Sequence, residues 1–408
     1  MACTPAQAAA QQRPSPQAPQ IDGEQRLGKR KTQCVPDTDL KRQRTSHYTH
    51  PTESTIGEPD PISFWVEEGR WPEDLFRPEE VPIMQRLLAR KKLPSNSATS
   101  ETPSDQRPRE EKSAPYRDPR YETLLATKGS FMDESPLGIT QESESICTTL
   151  LESEVTIPNN TPFRDEVFKQ TYMKVRGRNE ARVLRDITPW IVPPAEVLAT
   201  DGATQLECLI ESVNEGWNSS IPFVKTRPQP DYSVGFKREA FTKDQLAKLS
   251  PFIGDFLFED QSLFMATYFM YFPFLTCEVK CGAAGFDIAN RQNAHSMTLA
   301  VRAVAELFRI VGREGEVHRR VLAFSVSHNH DSVLIYGHYP VIAGEKTEYY
   351  RYVIRNFCFT ELGGKEKWAA YRFTKNVYDI WMPTHFKSIC SAIDQLPSAI
   401  DQLPSEFV

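Results

Sequence analysis

A mixed α/β domain, its central sheet flanked by helices and preceded by a long polar region, is predicted by three features of the sequence. The segment FPFLTCEVKC at residues 272–281 alternates as a strand does, with side chains two apart sharing a face. Directly behind it, DIANRQNAHSMTLAVRAVAELFRIV at 287–311 repeats apolar residues with a helical period: Ala289, Ala294, Met297, Val301, Val304 and Phe308 make one stripe. Further apolar strands follow that helix, so strands and helices alternate, and their two-sided apolar character suits a sheet covered on both faces.

Composition narrows the class. The 408 residues hold 39% hydrophobic side chains and 31 prolines, an average over a polar first third and an apolar remainder. From about residue 160 the chain is long enough to bury a sizeable core. The net charge of −6 excludes a uniformly basic nucleic-acid coat, so any such contact must use a local basic surface. The eight cysteines are scattered without a Cys-x-x-Cys pair and read as reduced intracellular thiols. Cys277 and Cys281, four apart, are expected on the buried apolar side of their strand. No signal-peptide core opens the chain, and the most apolar run, 263–275, is too short for a membrane span. A soluble protein without membrane contact is expected.

Residues 1–55, rich in Gln, Pro, Ser and Ala, are expected to be disordered. They carry two basic clusters, Lys29-Arg30-Lys31 and Lys41-Arg42-Gln43-Arg44, spaced like a bipartite nuclear-import signal. That spacing predicts a nuclear protein that meets an import receptor. An aromatic island at 61–76 holds Phe64, Trp65 and Trp71, which need a surface to bury on, either the C-terminal domain or a protein partner. A short helix and the stretch 84–92 go with it. Linker composition returns at 94–115. A turn and helix are predicted over 116–131, ending at Gly129, and a short helix over 146–153.

The globular part is expected to open at Thr161. Phe163, Val167, Phe168, Tyr172 and Val175 have helical spacing, and Pro189 stops the pattern. A second helix is predicted over 195–218, on which Glu207, Glu211 and Glu215, each four apart, would share a face. FTKDQLAKLSPFI at 241–253 reads as another helix, and VLAFSVS with SVLIYGHYPV as a hairpin turning at 328–331. YYRYVIRNFCFT adds a strand, and a closing helix spans about 374–396 with Tyr378, Trp381 and Phe386. The motif SAIDQLP occurs twice, at 391–397 and 398–404, a local duplication rather than a solenoid.

The chemistry gathers at the end of the first strand. On the alternation, Phe274, Thr276, Glu278 and Lys280 face one way, placing a carboxylate beside an ammonium. An amphipathic strand with a solvated Glu/Lys pair yields the same triplet. Pro230-Asp231, upstream, supplies a second carboxylate. Two carboxylates on neighbouring strands can hold Mg2+ or Mn2+ through hard oxygens, leaving other positions to water and substrate. Lys280 can then orient an attacking water or stabilise developing charge.

NEGWNSSIPFV, then PQPDYSVGF, then FPFLTCEVKC together resemble the helix, Pro-Asp strand and Glu-x-Lys strand of PD-(D/E)XK nuclease-like domains, particularly those of uncharacterised fungal proteins, over about 161–397. The resemblance implies a nuclease-like sheet and a metal-dependent phosphodiesterase acting on DNA or RNA. The alternative is an inactive nuclease-fold module that binds nucleic acid or protein. It also implies a helical glutamate in the metal site, Glu215 with Glu211 in reserve, and a polar residue facing the site from the long helix, Gln292. Asp231 and Glu278 stand 47 positions apart, a long gap for this motif, and the helix at 241–253 would absorb the excess. Lys225, Arg227, Lys237, Arg238, Arg291 and Arg302 offer phosphate contacts. Two rival sites are a transition metal on His328-x-His330, where a turn between strands supplies polar residues for its own reasons, and a thiol nucleophile pairing Cys281 with His295, around which no third group is ordered. No P-loop or dinucleotide fingerprint is present. The discriminating geometry is whether the carboxyl groups of Asp231 and Glu278 converge on one position.

Overall fold

The computed structural model describes residues 87–91, 112–159, 161–255, 260–281 and 285–397. The basic clusters at 29–31 and 41–44, the aromatic island at 61–76 and the second SAIDQLP copy lie outside them. Six described strands form one sheet in sequence order: β1 (Leu209–Val213), β2 (Tyr232–Lys237), β3 (Met270–Val279), β4 (Ala323–His328), β5 (Ser332–Ala343) and β6 (Lys346–Cys358). The first three are an antiparallel meander, β4 runs parallel to β3, and β5 and β6 add antiparallel pairs.

Nine described α-helices surround the sheet. Ahead of β1 come α1 (Arg120–Ala126), α2 (Gln141–Glu152), α3 (Asp165–Val175), α4 (Glu180–Asp186) and α5 (Ala195–Thr200). Between β2 and β3 lies α6 (Lys243–Ile253), the predicted insertion, started by a reciprocal capping box of Thr242 and Gln245. The parallel β3–β4 connection runs through α7 (Phe286–Ile310), and Gly312, at φ 66°, ends it. The chain closes with α8 (Ala369–Asn376) and α9 (Met382–Ile393), joined by one π-helical turn at Val377–Trp381.

Every residue of β3 is buried, because both faces of the sheet are covered. On one face the Thr276 hydroxyl donates to Asn293 Oδ1 of α7 at 2.7 Å, and Asn293 Nδ2 donates to Ser327 Oγ of β4 at 2.9 Å. On the other, the rings of Phe274 and Phe324 meet Trp381, and Phe324 also meets Phe373 of α8. The alternation predicted from Phe274 onward is therefore broken before Thr276. Register passes from Val234↔Leu275 to Phe236↔Tyr271, so residues 272–274 oppose Gly235 alone, and Phe272 takes a φ of 42°. Gly235 is needed there, since a Cβ would stand 2.8 Å from the Tyr271 carbonyl oxygen and 2.6 Å from Met270.

The predicted helix over 195–218 is three separate elements: α5, a 3-10 turn at Thr204–Leu206, and strand β1. Gly202, at φ 108°, breaks the helix, so the spacing of Glu207, Glu211 and Glu215 does not align them on a helical face. Glu211 belongs to β1, where Tyr232 donates a 2.6 Å hydrogen bond to it.

The packed body also begins earlier than Thr161. Cys147 and Leu150 of α2 enter the main core, and so does Leu87, whose neighbour Arg90 exchanges backbone hydrogen bonds with Gln261. Residues 112–133 run along the domain as a strap. Tyr116, Tyr121 and Leu125 form a small cluster with Val224 and Ala294, separate from the main core. Further on, the Phe131 amide donates to the Tyr349 carbonyl of β6, and the Tyr349 amide to that of Gly129, both at 2.8 Å. The described cysteines are free thiols; Cys277 is buried as expected, but Cys281, just past the strand end, is exposed. Among the described residues no helix is long and apolar enough to cross a membrane.

Candidate functional site

Antiparallel pairing of Tyr232 with Cys277 sets the entry to β2 against the exit from β3, and so brings Asp231 to Glu278 and Lys280. Asp231 precedes β2, and its Oδ2 accepts the Val279 amide at 2.8 Å, tying the two strand ends together. Lys280 extends the β3–β4 pairing by donating its own amide to the His328 carbonyl at 2.9 Å. From there its Nζ lies 3.5 Å from Glu278 Oε2 and 4.0 Å from Asp231 Oδ2. The two carboxyl groups thus converge on one ammonium. All three side chains are buried, at 0%, 1% and 3% exposure for Asp231, Glu278 and Lys280, which excludes a solvated Glu/Lys pair. Gly285 makes room for the lysine stem, since a Cβ there would stand 2.6 Å from Lys280 Cβ.

A second ammonium enters from the strap. Lys112 Nζ donates to Asp231 Oδ1 at 2.8 Å and to the Gln229 carbonyl at 2.7 Å, and the side chain is almost wholly buried. Two carboxyl groups and two ammonium groups therefore share one enclosed space. Glu278 lies within this balance of burial and charge, buried to 1% exposure. Burial pushes its carboxyl up to about 7, with the Lys112 charge pulling against that and Asp231 adding to it. Its Oε2 has no hydrogen-bond partner among the described residues. An enclosed carboxylate oxygen that accepts no hydrogen bond, beside a second carboxylate, is the donor set a hard divalent cation takes.

The sequence-predicted residues separate at this point. Asp231, Glu278 and Lys280 come together. Gln292 is buried on α7, not exposed, one helical turn before His295, and its Oε1 has no hydrogen-bond partner among the described residues. Glu215 stands on the loop after β1, half-buried, its carboxyl raised by burial alone. Glu180, in the first turn of α4, is instead close enough to Glu278 for its charge to raise that carboxyl further. Among the described residues no three His, Cys, Asp or Glu side chains form a ready metal cluster.

Neither rival site is assembled. His328 is buried, donating from Nδ1 to the Asn329 carbonyl and accepting at Nε2 from Thr188, while His330 sits beside Asp331 in the turn. The Asn329 side chain accepts the Asp331 and Ser332 amides, so the turn uses its polar residues for itself. His295 Nδ1 faces the hydroxyls of Tyr116 and Tyr121 at 2.9 and 3.2 Å, and Cys281 is exposed. Arg291 and Arg302 are not open to phosphate either. Arg291 holds Glu122 and the Tyr116 carbonyl of the strap, and Arg302, half-buried, donates to the Ile221 carbonyl.

Sequence reasoning missed Lys112, which sits 119 positions before Asp231 in a stretch of linker composition. It missed Glu180 too, although Asn179, whose side chain caps the Arg182 amide, marks the helix start that places it. The polar residues Asn290 and Asn293, which fasten α7 to Ser327 beneath the site, were legible only as part of a helix.

No curated protein matches this chain. A family described as Domain of unknown function (DUF7924) matches residues 167–393, more than half of the chain. That span takes in Glu180, Asp231, Glu278, Lys280 and Gln292 and leaves out Lys112, and by it the chain belongs to the DUF7924 family.

Proposed function

We propose that this domain is PD-(D/E)XK nuclease-like and carries a metal-dependent phosphodiesterase site for DNA or RNA. The observation that carries the proposal is the convergence of Asp231 and Glu278 on the Lys280 ammonium, at 4.0 and 3.5 Å. The element order supports it as well: helix, three-stranded antiparallel meander, crossover helix, then a strand parallel to the third, with the motif residues at the ends of the second and third strands.

On this reading Asp231 and Glu278 would hold Mg2+ or Mn2+, with Glu180, in place of Glu215, as the nearby third carboxylate. The ion would supply Lewis acidity toward a phosphoryl oxygen. Lys280 positions the nucleophilic water and stabilises charge developing on the phosphate. The corner between α3 and α4 supports a polyanionic substrate. Lys174 and Arg178 are exposed there and line a surface cavity with Arg182, just ahead of Glu180.

The test is calorimetric and enzymatic. Mn2+ should raise the melting temperature of the full chain, and Asp231→Asn or Glu278→Gln should remove that rise. Lys280→Ala should keep it yet cleave nothing in a panel of single- and double-stranded DNA and RNA. The second reading, a nuclease-fold module that binds without cutting, is favoured by the 2.8 Å Lys112–Asp231 ion pair, which already neutralises one carboxylate. Metal binding with no cleavage by the native chain or by a Lys112 variant would select it.

A nuclear location belongs to the same proposal, supported by the paired basic clusters alone. Alanine at Lys29, Arg30, Lys31, Lys41, Arg42 and Arg44 in a fluorescent fusion should redistribute the protein to the cytoplasm. Unchanged nuclear accumulation would discard the signal.

A further inference from the structure

We propose that the strap is a displaceable plug: Lys112 holds the position of the cation, and ion binding at Asp231 requires the strap to withdraw. The inference rests on reading Asp231 and Glu278 as a cation site. Lys112 Nζ stands among a carboxylate oxygen and a backbone carbonyl oxygen, at 2.8 and 2.7 Å, oxygens of the kind a hard divalent ion would otherwise take.

The way the strap is held is consistent with release. Its rings pack in the small satellite cluster, so lifting them leaves the main core closed. The grip of the releasable part on α7 is polar and local: Tyr116 and Tyr121 on His295, and Glu122 on Arg291. While it is docked, Asp231 and Glu278 are sealed from solvent, at 0% and 1% exposure, and no phosphodiester can reach them. Gly129, at φ 85°, is the first residue of the β6-bound end, its carbonyl on the Tyr349 amide, and the strap can hinge just ahead of it.

The experiment titrates Mn2+ into the full chain by calorimetry. Lys112→Met should bind Mn2+ at least tenfold more tightly than the native chain, Lys112→Arg should bind like the native chain, and the gain should vanish in Lys112→Met with Asp231→Asn. Hydrogen exchange on the native chain should speed up at Tyr116–Leu125 on Mn2+ addition. If Lys112→Met does not fold, the double change Tyr116→Ala and Tyr121→Ala, which loosens the strap and leaves the carboxylates intact, must give the same tightening. Equal Mn2+ affinity in the native chain and these variants overturns the plug and leaves the cation site standing. Tighter binding without cleavage keeps the plug and removes the catalytic reading. Binding by none of them removes the cation site and the plug together.

Discussion

Lys112→Met and Asp231→Asn each lower the metal-free unfolding free energy by about 3–5 kcal/mol, the loss expected when one partner of a buried ion pair is removed. The pair is 2.8 Å apart with side-chain exposures of 2% and 0%, so neither charge left behind can reach water. The double substitution should lose clearly less than the sum, because it strands no charge. Glu278 tempers the Lys112→Met loss, since its raised carboxyl can take up a proton when an ammonium leaves. Urea unfolding of the four proteins in EDTA measures the cycle. Additivity within about 0.5 kcal/mol would mean that the pair is not coupled.

Acid should destabilise the domain well above the range where surface carboxylates titrate. Burial lowers the imidazoles of His295, His338 and His385 to about 3 and that of His328 to about 4, against 6.5 in the ordinary state. Below about pH 6.5 the unfolded chain takes up protons that the folded chain refuses. Their stabilisation is therefore complete above that value and falls as pH drops toward 4. Glu278 works the other way, because a carboxyl raised to about 7 binds its proton more readily when folded. Four histidines against one carboxyl leave a net loss of about 5 kcal/mol between pH 7 and pH 5. The urea midpoint at the two pH values reads this out. His385→Phe, which keeps the stack on Trp381 without a titrating ring, should return roughly 2 kcal/mol of the difference. A midpoint that does not move between pH 7 and pH 5 would contradict the account.

Elements with strong periods were readable in the sequence: α7 with its buried stripe, the β4–β5 hairpin, the capped α6, and the Glu-x-Lys end of β3. Failures fell where a local pattern had two physical origins. Leu206 and Leu209 are both buried and three apart, as on a helix, yet the second lies on a strand that starts after a break at Gly202. The alternation through Phe274 was lost to three residues facing one glycine, which no single-strand period can encode. The site itself was half legible. Asp231, Glu278 and Lys280 sit at the ends of strands whose pairing follows from the meander. Lys112 approaches through tertiary docking of a polar segment, for which short-range spacing carries no signal.

β6 is an edge strand of the sheet, thirteen residues long and largely half-exposed. Its middle, around Tyr349 and Arg351, is capped by the backbone of residues 129–133, leaving fewer unpaired amides for a second chain to join. Because that cap begins at Gly129, beyond the releasable part that carries Lys112, the plug can lift while the cap stays. A fragment trimmed to the family boundary at residue 167 would lose both, and would present to its neighbours a bare template for intermolecular strand pairing and self-assembly.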